Sequence, residues 1–289
     1  MKVAIVGADG QLGFDLCRVI PKDEQIPLTL QDLDITDQEK TFAVIKKVSP
    51  QIVINTAAYH HVDNCEDHEV SAFAVNSIGV KYLAQACLTV DAALVHISTD
   101  YVFDGQKNTP YLESDTPHPQ SVYGISKLAG EFCIKYLLQK YFIVRSTGLY
   151  GVVGCMGKGG GNFVDNMLKR AEQLPELKVV GDEILSPTYT LDLATKINQL
   201  IRTRQYGLYH IVNHGECSWY EFTSKIFEIL GKAIKIKRVT AAEFKSKARR
   251  PKYSVLGNGN LQKLGMDDLR PWPEALCAYL TEKGLIGSP

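Results

Sequence analysis

The sequence has no excess of charge: across 289 residues, 32 lysines and arginines face 32 aspartates and glutamates. A zero balance removes any global argument for nucleic acid or an anionic membrane as a partner, so neither is expected. Cysteine is present without a pattern. Seven residues (17, 65, 87, 133, 155, 217, 277) form an odd, scattered set with no C-x-x-C, which argues against a disulfide framework and a zinc knuckle and leaves buried thiols as the expectation. No apolar run approaches the roughly 20 residues that cross a bilayer. The opening "MKVAIVGADG" turns to glycine after one short strand, without a signal-peptide core, and the expected location is the cytoplasm. Repeats and low-complexity tracts are also missing, which excludes solenoids and collagen-like chains.

What is present is an alternation. Short apolar runs at Val3 to Val6, Ile26 to Leu30, Ile52 to Asn55, Leu94 to Ser98 and Phe142 to Arg145 are separated by helical patterns near Leu12 to Ile20, Gln38 to Val48, Val70 to Thr89 and Tyr123 to Gln139. Strands apolar on both faces and separated by helices predict a parallel sheet covered on both sides, a doubly wound α/β domain of Rossmann type. After about Tyr150 the rhythm becomes irregular. The expected division is therefore a dinucleotide-binding domain over 1–150 and a smaller, mainly substrate-binding α/β lobe over 151–289, with a soft boundary and some segments returning to the first domain.

"VAIVGADGQLG" passes from strand to helix through Gly7, Gly10 and Gly13, with Asp9, Gln11 and Leu12 in the same turn. Glycine there permits positive φ and close backbone approach, so a pyrophosphate can reach the N–H groups and positive dipole end of the helix. The G-x-x-G-x-x-G spacing differs from the usual G-x-G-x-x-G, although the physics is shared. At the end of the second strand, where an acid selects NAD and a basic residue admits the NADP phosphate, the sequence reads "LTLQDLDITD". Asp32 either holds the ribose or is a solvated loop acid, with Asp34 and Ile35 beyond it; NADPH and NADH both stay open.

Three Y-x-x-x-K pairs occur, at Tyr123/Lys127, Tyr136/Lys140 and Tyr279/Lys283. Only the first follows a predicted strand ending in "HISTDYVFDG". Ligands of an open α/β sheet bind beyond the carboxyl ends of its strands, where Ser98 and Thr99 must lie, and i and i+4 positions share a helix face. A carbonyl receiving hydride needs a proton donor; a phenol beside an ammonium fits that task, with Thr99 holding the same oxygen. The plain alternative is a packed tyrosine beside a solvated lysine.

The glycine turn, "NTAA" (55–58), "STDYVF" and "YGISK" together resemble the extended short-chain dehydrogenase/reductase superfamily. "LDITD" (33–37), "AAYHHVDNCE" (57–66), "VYGISKLAGE" (122–131), "SPTYTLDLA" (186–194), "CSWYEF" (217–222) and "ARRPKYS" (248–254) narrow the resemblance to the dTDP-4-dehydrorhamnose reductase family over nearly the whole chain. That resemblance implies reduction of the 4-keto group of a nucleotide-linked 6-deoxysugar. It implies a triad of Thr99, Tyr123 and Lys127, cofactor contacts at Gly7, Gly10, Gly13, Asn55, Ala57 and Ala58, and substrate contacts at His60, Val62, Thr99, Tyr101 and Arg250.

One departure concerns "VRSTGLYG", which has Gly148 where the family commonly carries a tryptophan flanking the sugar. Losing that wall would cost a few kcal/mol of packing unless another ring fills the space. The glycine-rich stretch around Lys158 lacks the phosphate-loop spacing and is expected to be a lid or plain loop. His60, His61, Asp63 and Cys65 lack a helical i,i+4 histidine pair, and no metal is expected. A sugar-nucleotide dehydratase would carry Asp-Glu after the threonine, whereas Asp100 precedes Tyr101. An epimerase and a non-catalytic regulatory subunit of the methionine adenosyltransferase type are the competing readings; the intact triad argues against the second. A homodimer is compatible with the composition, without a located surface.

Overall fold

The computed structural model describes residues 1–154, 161–244 and 246–287. Its center is a six-stranded parallel sheet. Five strands come from the first half of the chain: β1 (Val3–Val6), β2 (Gln25–Leu28), β3 (Ile52–Asn55), β4 (Ala93–Thr99) and β5 (Tyr141–Ser146). Short strands follow at β6 (Leu149–Tyr150), β7 (Glu176–Val180), β8 (Ile184–Leu185) and β9 (Thr188–Tyr189) before β10 (Gly207–His210), β11 (Cys217–Ser218) and β12 (Lys235–Val239). The sheet order is β10-β5-β4-β3-β1-β2, every neighboring pair parallel, so the progression across the sheet reverses at β1, with β2 on one side and β3, β4, β5 and β10 on the other. This is the doubly wound arrangement expected from the non-alternating apolar runs.

Because side chains of a strand point alternately to opposite faces, β1 feeds two cores. Val3 and Ile5 pack with Leu12, Leu16, Leu193 and Ile197 on one side, while Ala4 and Val6 pack with Ile45, Leu83, Ala84 and Ile134 on the other. The first face is covered by α1 (Gln11–Val19). The second is covered by α2 (Gln38–Val48), then, beyond the short α3 (Val62–Cys65) and α4 (Glu69–Phe73), by α5 (Val80–Thr89) and α6 (Val122–Leu137). From the second half, α7 (Phe163–Gln173) precedes α8 (Thr190–Leu200), which packs beside α1; α9 (Trp219–Ile229), α10 (Ala241–Phe244), α11 (Gly259–Lys263) and α12 (Trp272–Glu282) complete the fold.

Two local departures from the sequence pattern have identifiable causes. β2 stops at Leu28 rather than Leu30, because the Asp32 carboxylate accepts from Thr29 N at 2.8 Å and Thr29 Oγ1 at 2.7 Å and closes a turn. The helix expected over Val70 to Thr89 is interrupted by a π-helical turn at Ala74–Gly79. Asn76, fully buried in that turn, accepts from Tyr59 N (2.9 Å) and donates to Tyr59 O (3.0 Å) and Ser126 Oγ (3.0 Å). α6 can lie this close only because residue 130 is glycine: a Cβ there would stand 2.3 Å from the Asn76 carbonyl oxygen.

The rest of the chain closes around an aromatic core of Tyr150, Tyr189, Phe222, Trp272 and Tyr279. Tyr150 stacks on Tyr189 at 5.7 Å and meets Tyr279 edge-on at 5.2 Å. Short strand pairs, β7 with β12, β6 with β9 and β8 with β11, tie its loops together.

Candidate active site

A cavity of about 1430 Å³ opens along the carboxyl ends of the parallel strands. That exceeds the roughly 300–1,000 Å³ of a single small-molecule site, so it has room for two ligands together. One end is the glycine turn. Gly7 has φ +78°, and a Cβ on it would lie 2.6 Å from Thr56 Oγ1; a Cβ on Gly13 would lie 2.0 Å from the Gly7 carbonyl oxygen. Gly10 stands at the N-cap of α1 and donates to Gly7 O at 2.9 Å. Gly7 and Gly10 thus leave bare backbone facing the cavity, while Gly13 lets α1 sit against the turn. Gln11 lines the same end with a buried side-chain oxygen that has no protein partner. A helix N-terminus without a side-chain cap fits a dinucleotide pyrophosphate, while the orphaned Gln11 oxygen, an acceptor, is left for a hydroxyl or N–H donor of a ligand.

The other candidate cofactor residues divide. Asp9, Leu12, Asp34, Ile35, Ala57 and Ala58 line the cavity. Asp34 spends one carboxylate oxygen on Thr36 N (2.9 Å) and Thr36 Oγ1 (2.8 Å). Asp32 is exposed, bound to Thr29 and outside the lining, so the turn it caps takes it away from the cleft. Asn55 is fully buried behind the wall.

At the middle of the cavity stand Thr99, Tyr101, Tyr123 and Lys127. The start of α6 is held from three directions. Ser121 caps it by accepting from Gly124 N at 3.2 Å, Val122 N donates to Glu66 Oε1 at 2.9 Å, and a Cβ on Gly124 would come within 2.2 Å of the Tyr101 carbonyl oxygen. Tyr123 meets the Tyr101 ring edge-on at 5.5 Å. Lys127, 2% exposed, donates to Ile97 O at 2.6 Å, and burial pulls its amine down to about 8. Thr99 Oγ1 donates to Asp100 Oδ1 at 3.0 Å and accepts from Tyr101 N at 3.2 Å. Burial pushes the Asp100 carboxyl up; hydrogen bonds from Ser254, Thr147 and Thr99 oppose it. Asp100 therefore joins β4, the residue after β5 and the C-terminal segment.

Beyond Tyr101 the wall changes character. Arg250 Nη2 donates to Asp63 Oδ2 at 2.9 Å, whereas its Nη1 is buried without a protein partner. Glu183, 7% exposed between β7 and β8, is pushed up to about 6 by burial, with Arg250 opposing the shift. Gly148 has φ +57° and a Cβ there would meet Leu185 Cδ1 at 2.7 Å, so that position has no room for a ring. Aromatic surface comes instead from Trp219 and Phe163, whose rings lie 4.3 Å apart on the lining. His60 and Val62 also line the cavity, and Lys169, Arg170 and Lys178 bring positive charge to it.

Glu183, Trp219, Phe163 and Asp100 were not singled out as site residues from the sequence. The acid pair Asp182-Glu183, set between an apolar strand and "SPTYT", was the available signal. The glycine-rich stretch around Lys158 falls on 155–160, outside the described residues. Among the described residues, no group of three or more histidine, cysteine, aspartate or glutamate side chains is placed to hold a metal, and no helix is long and apolar enough to cross a membrane.

Strand order, glycine turn and a Tyr–Lys helix at the carboxyl edge of the sheet define a Rossmann-type protein of the short-chain dehydrogenase/reductase kind. A family model described as RmlD substrate binding domain matches residues 1–284, and the chain belongs to that family. It is 42% identical over 284 residues to the spore coat polysaccharide biosynthesis protein SpsK of Bacillus subtilis (strain 168), covering 98% of each chain. Its structure resembles that of a dTDP-4-dehydrorhamnose reductase from Clostridium acetobutylicum, with TM-score 0.93, 43% identity and coverage of 98% of this chain and 99% of the other. A dTDP-4-dehydrorhamnose reductase from Bacillus anthracis in complex with NADP is as similar, with TM-score 0.93, 41% identity and coverage of 98% and 100%.

Proposed function

We propose that this chain is an NAD(P)H-dependent reductase of the 4-keto group of a nucleotide-linked 6-deoxysugar, converting dTDP-4-dehydro-L-rhamnose to dTDP-L-rhamnose in the cytoplasm. The observation that carries the reading is the convergence of Thr99, Tyr123 and Lys127 on one cavity that begins at a glycine turn built for a pyrophosphate. Family membership supports the substrate class. In this reading residues 1–150 form most of the cofactor side, and residues 151–289 most of the substrate side.

When bound, the reduced nicotinamide supplies hydride to the ketone carbon. The residues of the chain manage the oxygen. Tyr123 gives the proton, because a phenol with a reference pKa near 10 stays protonated at neutrality. The Lys127 ammonium favors the phenolate left behind. Thr99 binds the same oxygen once its hydroxyl turns from Asp100 toward the ligand. Arg250 Nη1 and Glu183 take acceptor and donor groups of the sugar nucleotide, with Lys169, Arg170 and Lys178 supplying charge for its diphosphate.

Purified protein mixed with NADPH or NADH and dTDP-4-dehydro-L-rhamnose should oxidise reduced cofactor stoichiometrically. Tyr123→Phe should lower kcat on the order of 10²- to 10⁴-fold while cofactor fluorescence titration stays at the wild-type value. A variant as fast as the parent removes Tyr123 from the role. Conversion of the sugar with no net oxidation of added cofactor replaces the reductase by an epimerase. Light scattering decides between monomer and homodimer.

A further inference from the structure

Lys127 is not alone behind the cavity; it is the end of a chain of buried polar groups that begins on β3. Asn55 Oδ1 accepts from Ala57 N at 3.1 Å. The other end of that amide, Nδ2, stands 3.2 Å from His96 Nδ1, and both side chains are fully buried. An amide nitrogen only donates, so His96 Nδ1 must be the bare, accepting nitrogen. A neutral imidazole carries one hydrogen, which this contact assigns to Nε2. His96 Nε2 lies 3.3 Å from Lys127 Nζ. The ring therefore turns an N–H, not a lone pair, toward the amine. A neutral amine can accept from that N–H, whereas an ammonium meets it donor against donor.

We propose that Asn55 and His96 form a relay that fixes the imidazole tautomer and thereby tunes the proton affinity of Lys127, which makes His96 a positioning residue for the reaction. The assignment of Lys127 to the reaction rests on the function proposed above; the relay itself rests on the three contacts. Burial and the nearby Lys127 both hold His96 well below the ordinary histidine range, which keeps the ring neutral as the relay requires. Burial is also the main cause that brings the amine down to about 8, with Glu131 pulling the other way. Around the amine stand His96 and the Ile97 carbonyl from β4 and Glu131 one turn further along α6; Glu131 is itself bound to Arg145.

The test uses the full chain labelled with 15N-histidine, the His96 signals being those lost in His96→Gln. At pH 7 the ring should be neutral with its proton on Nε2. A proton on Nδ1, or an imidazolium, overturns the relay. In Asn55→Asp, a carboxylate replaces the donating amide and accepts from Nδ1–H, leaving Nε2 bare toward the ammonium. The Lys127 titration, followed by the 13Cε line that Lys127→Arg removes, should then move up by about one pH unit or more. The basic limb of kcat/KM should move with it, and most of the rise should vanish in Asn55→Asp combined with His96→Gln, where the carboxylate remains but the ring that relays it does not. A midpoint unchanged from wild type overturns the proposal. Should Asn55→Asp fail to fold, the wild-type tautomer decides alone. If no nucleotide 4-keto sugar drives cofactor oxidation, the reductase reading fails while the two resonance measurements still decide the relay.

Discussion

The parallel-sheet half and the aromatic lobe bury polar groups in different ways. In the sheet half, beneath the cavity, a few strong links do the work. Glu131 and Arg145, 0% and 1% exposed, are joined by two hydrogen bonds of 2.8 and 2.7 Å, Ser98 Oγ adds a third to Glu131 at 2.6 Å, and the guanidinium lies 5.2 Å from the Phe103 ring center. In the lobe, amide and phenol contacts share the task with ion pairs that stay partly exposed, such as Arg270 with Asp192 at 2.6 Å. Asn162 caps α7, donates to Gly151 O at 2.8 Å and to Tyr279 OH at 3.0 Å, and so ties a loop to the aromatic core. A charge pair in a low dielectric is all-or-nothing, whereas a neutral net loses one strand at a time. The difference teaches where the molecule tolerates change.

Glu131→Gln is the sharpest way to break this contrast. It strands the Arg145 guanidinium in the core and should cost about 3–5 kcal/mol in urea unfolding. A loss as small as that of a neutral contact would erase the distinction. Next comes Glu183→Gln on the lobe side, expected to raise the KM of the sugar nucleotide about tenfold by weakening a charge-assisted contact. Glu183 is pushed up to about 6, so its carboxylate is present above that pH and lost below it. In wild type, KM should accordingly climb as pH falls through about 6, and the variant should flatten that climb. Asn162→Ala should cost about 1 kcal/mol, seen as a shift in the unfolding midpoint with kcat retained. The smallest effect belongs to Asp91, whose 2.7 Å pair with Lys140 is 85% exposed on the acid side. Asp91→Asn should stay within about 0.5 kcal/mol, and a larger loss would show that surface pairs matter here.

The two halves were also unequally legible in the sequence. Strands β1, β3, β4 and β5 declared themselves by apolar runs that no solvent-facing strand would carry; among the candidate site residues, Gly7 and Thr99 stood out by their place at strand ends and Tyr123 and Lys127 by their spacing on the helix that follows. The end of β2 was misplaced because Asp32 serves its own turn, a local bond that apolar pattern does not report. The π-helical turn was invisible because its cause lies elsewhere in the chain, at Tyr59, Ser126 and Gly130. Glu183 and Trp219 escaped for a related reason. Their chemistry depends on a cavity assembled from β7, the turn before β8, α9 and the segment around Arg250, and no spacing along the chain encodes that meeting.

Asn76 links the two sides of the cavity. One amide grips the backbone at Tyr59 and the hydroxyl of Ser126, three residues past the proposed proton donor. A molecule that nudges the loop beside Ala57 and Ala58 therefore pulls on the helix that presents the phenol. Occupancy on the dinucleotide side should be felt on the sugar side and the reverse, so each ligand should change the other's dissociation constant by the same factor.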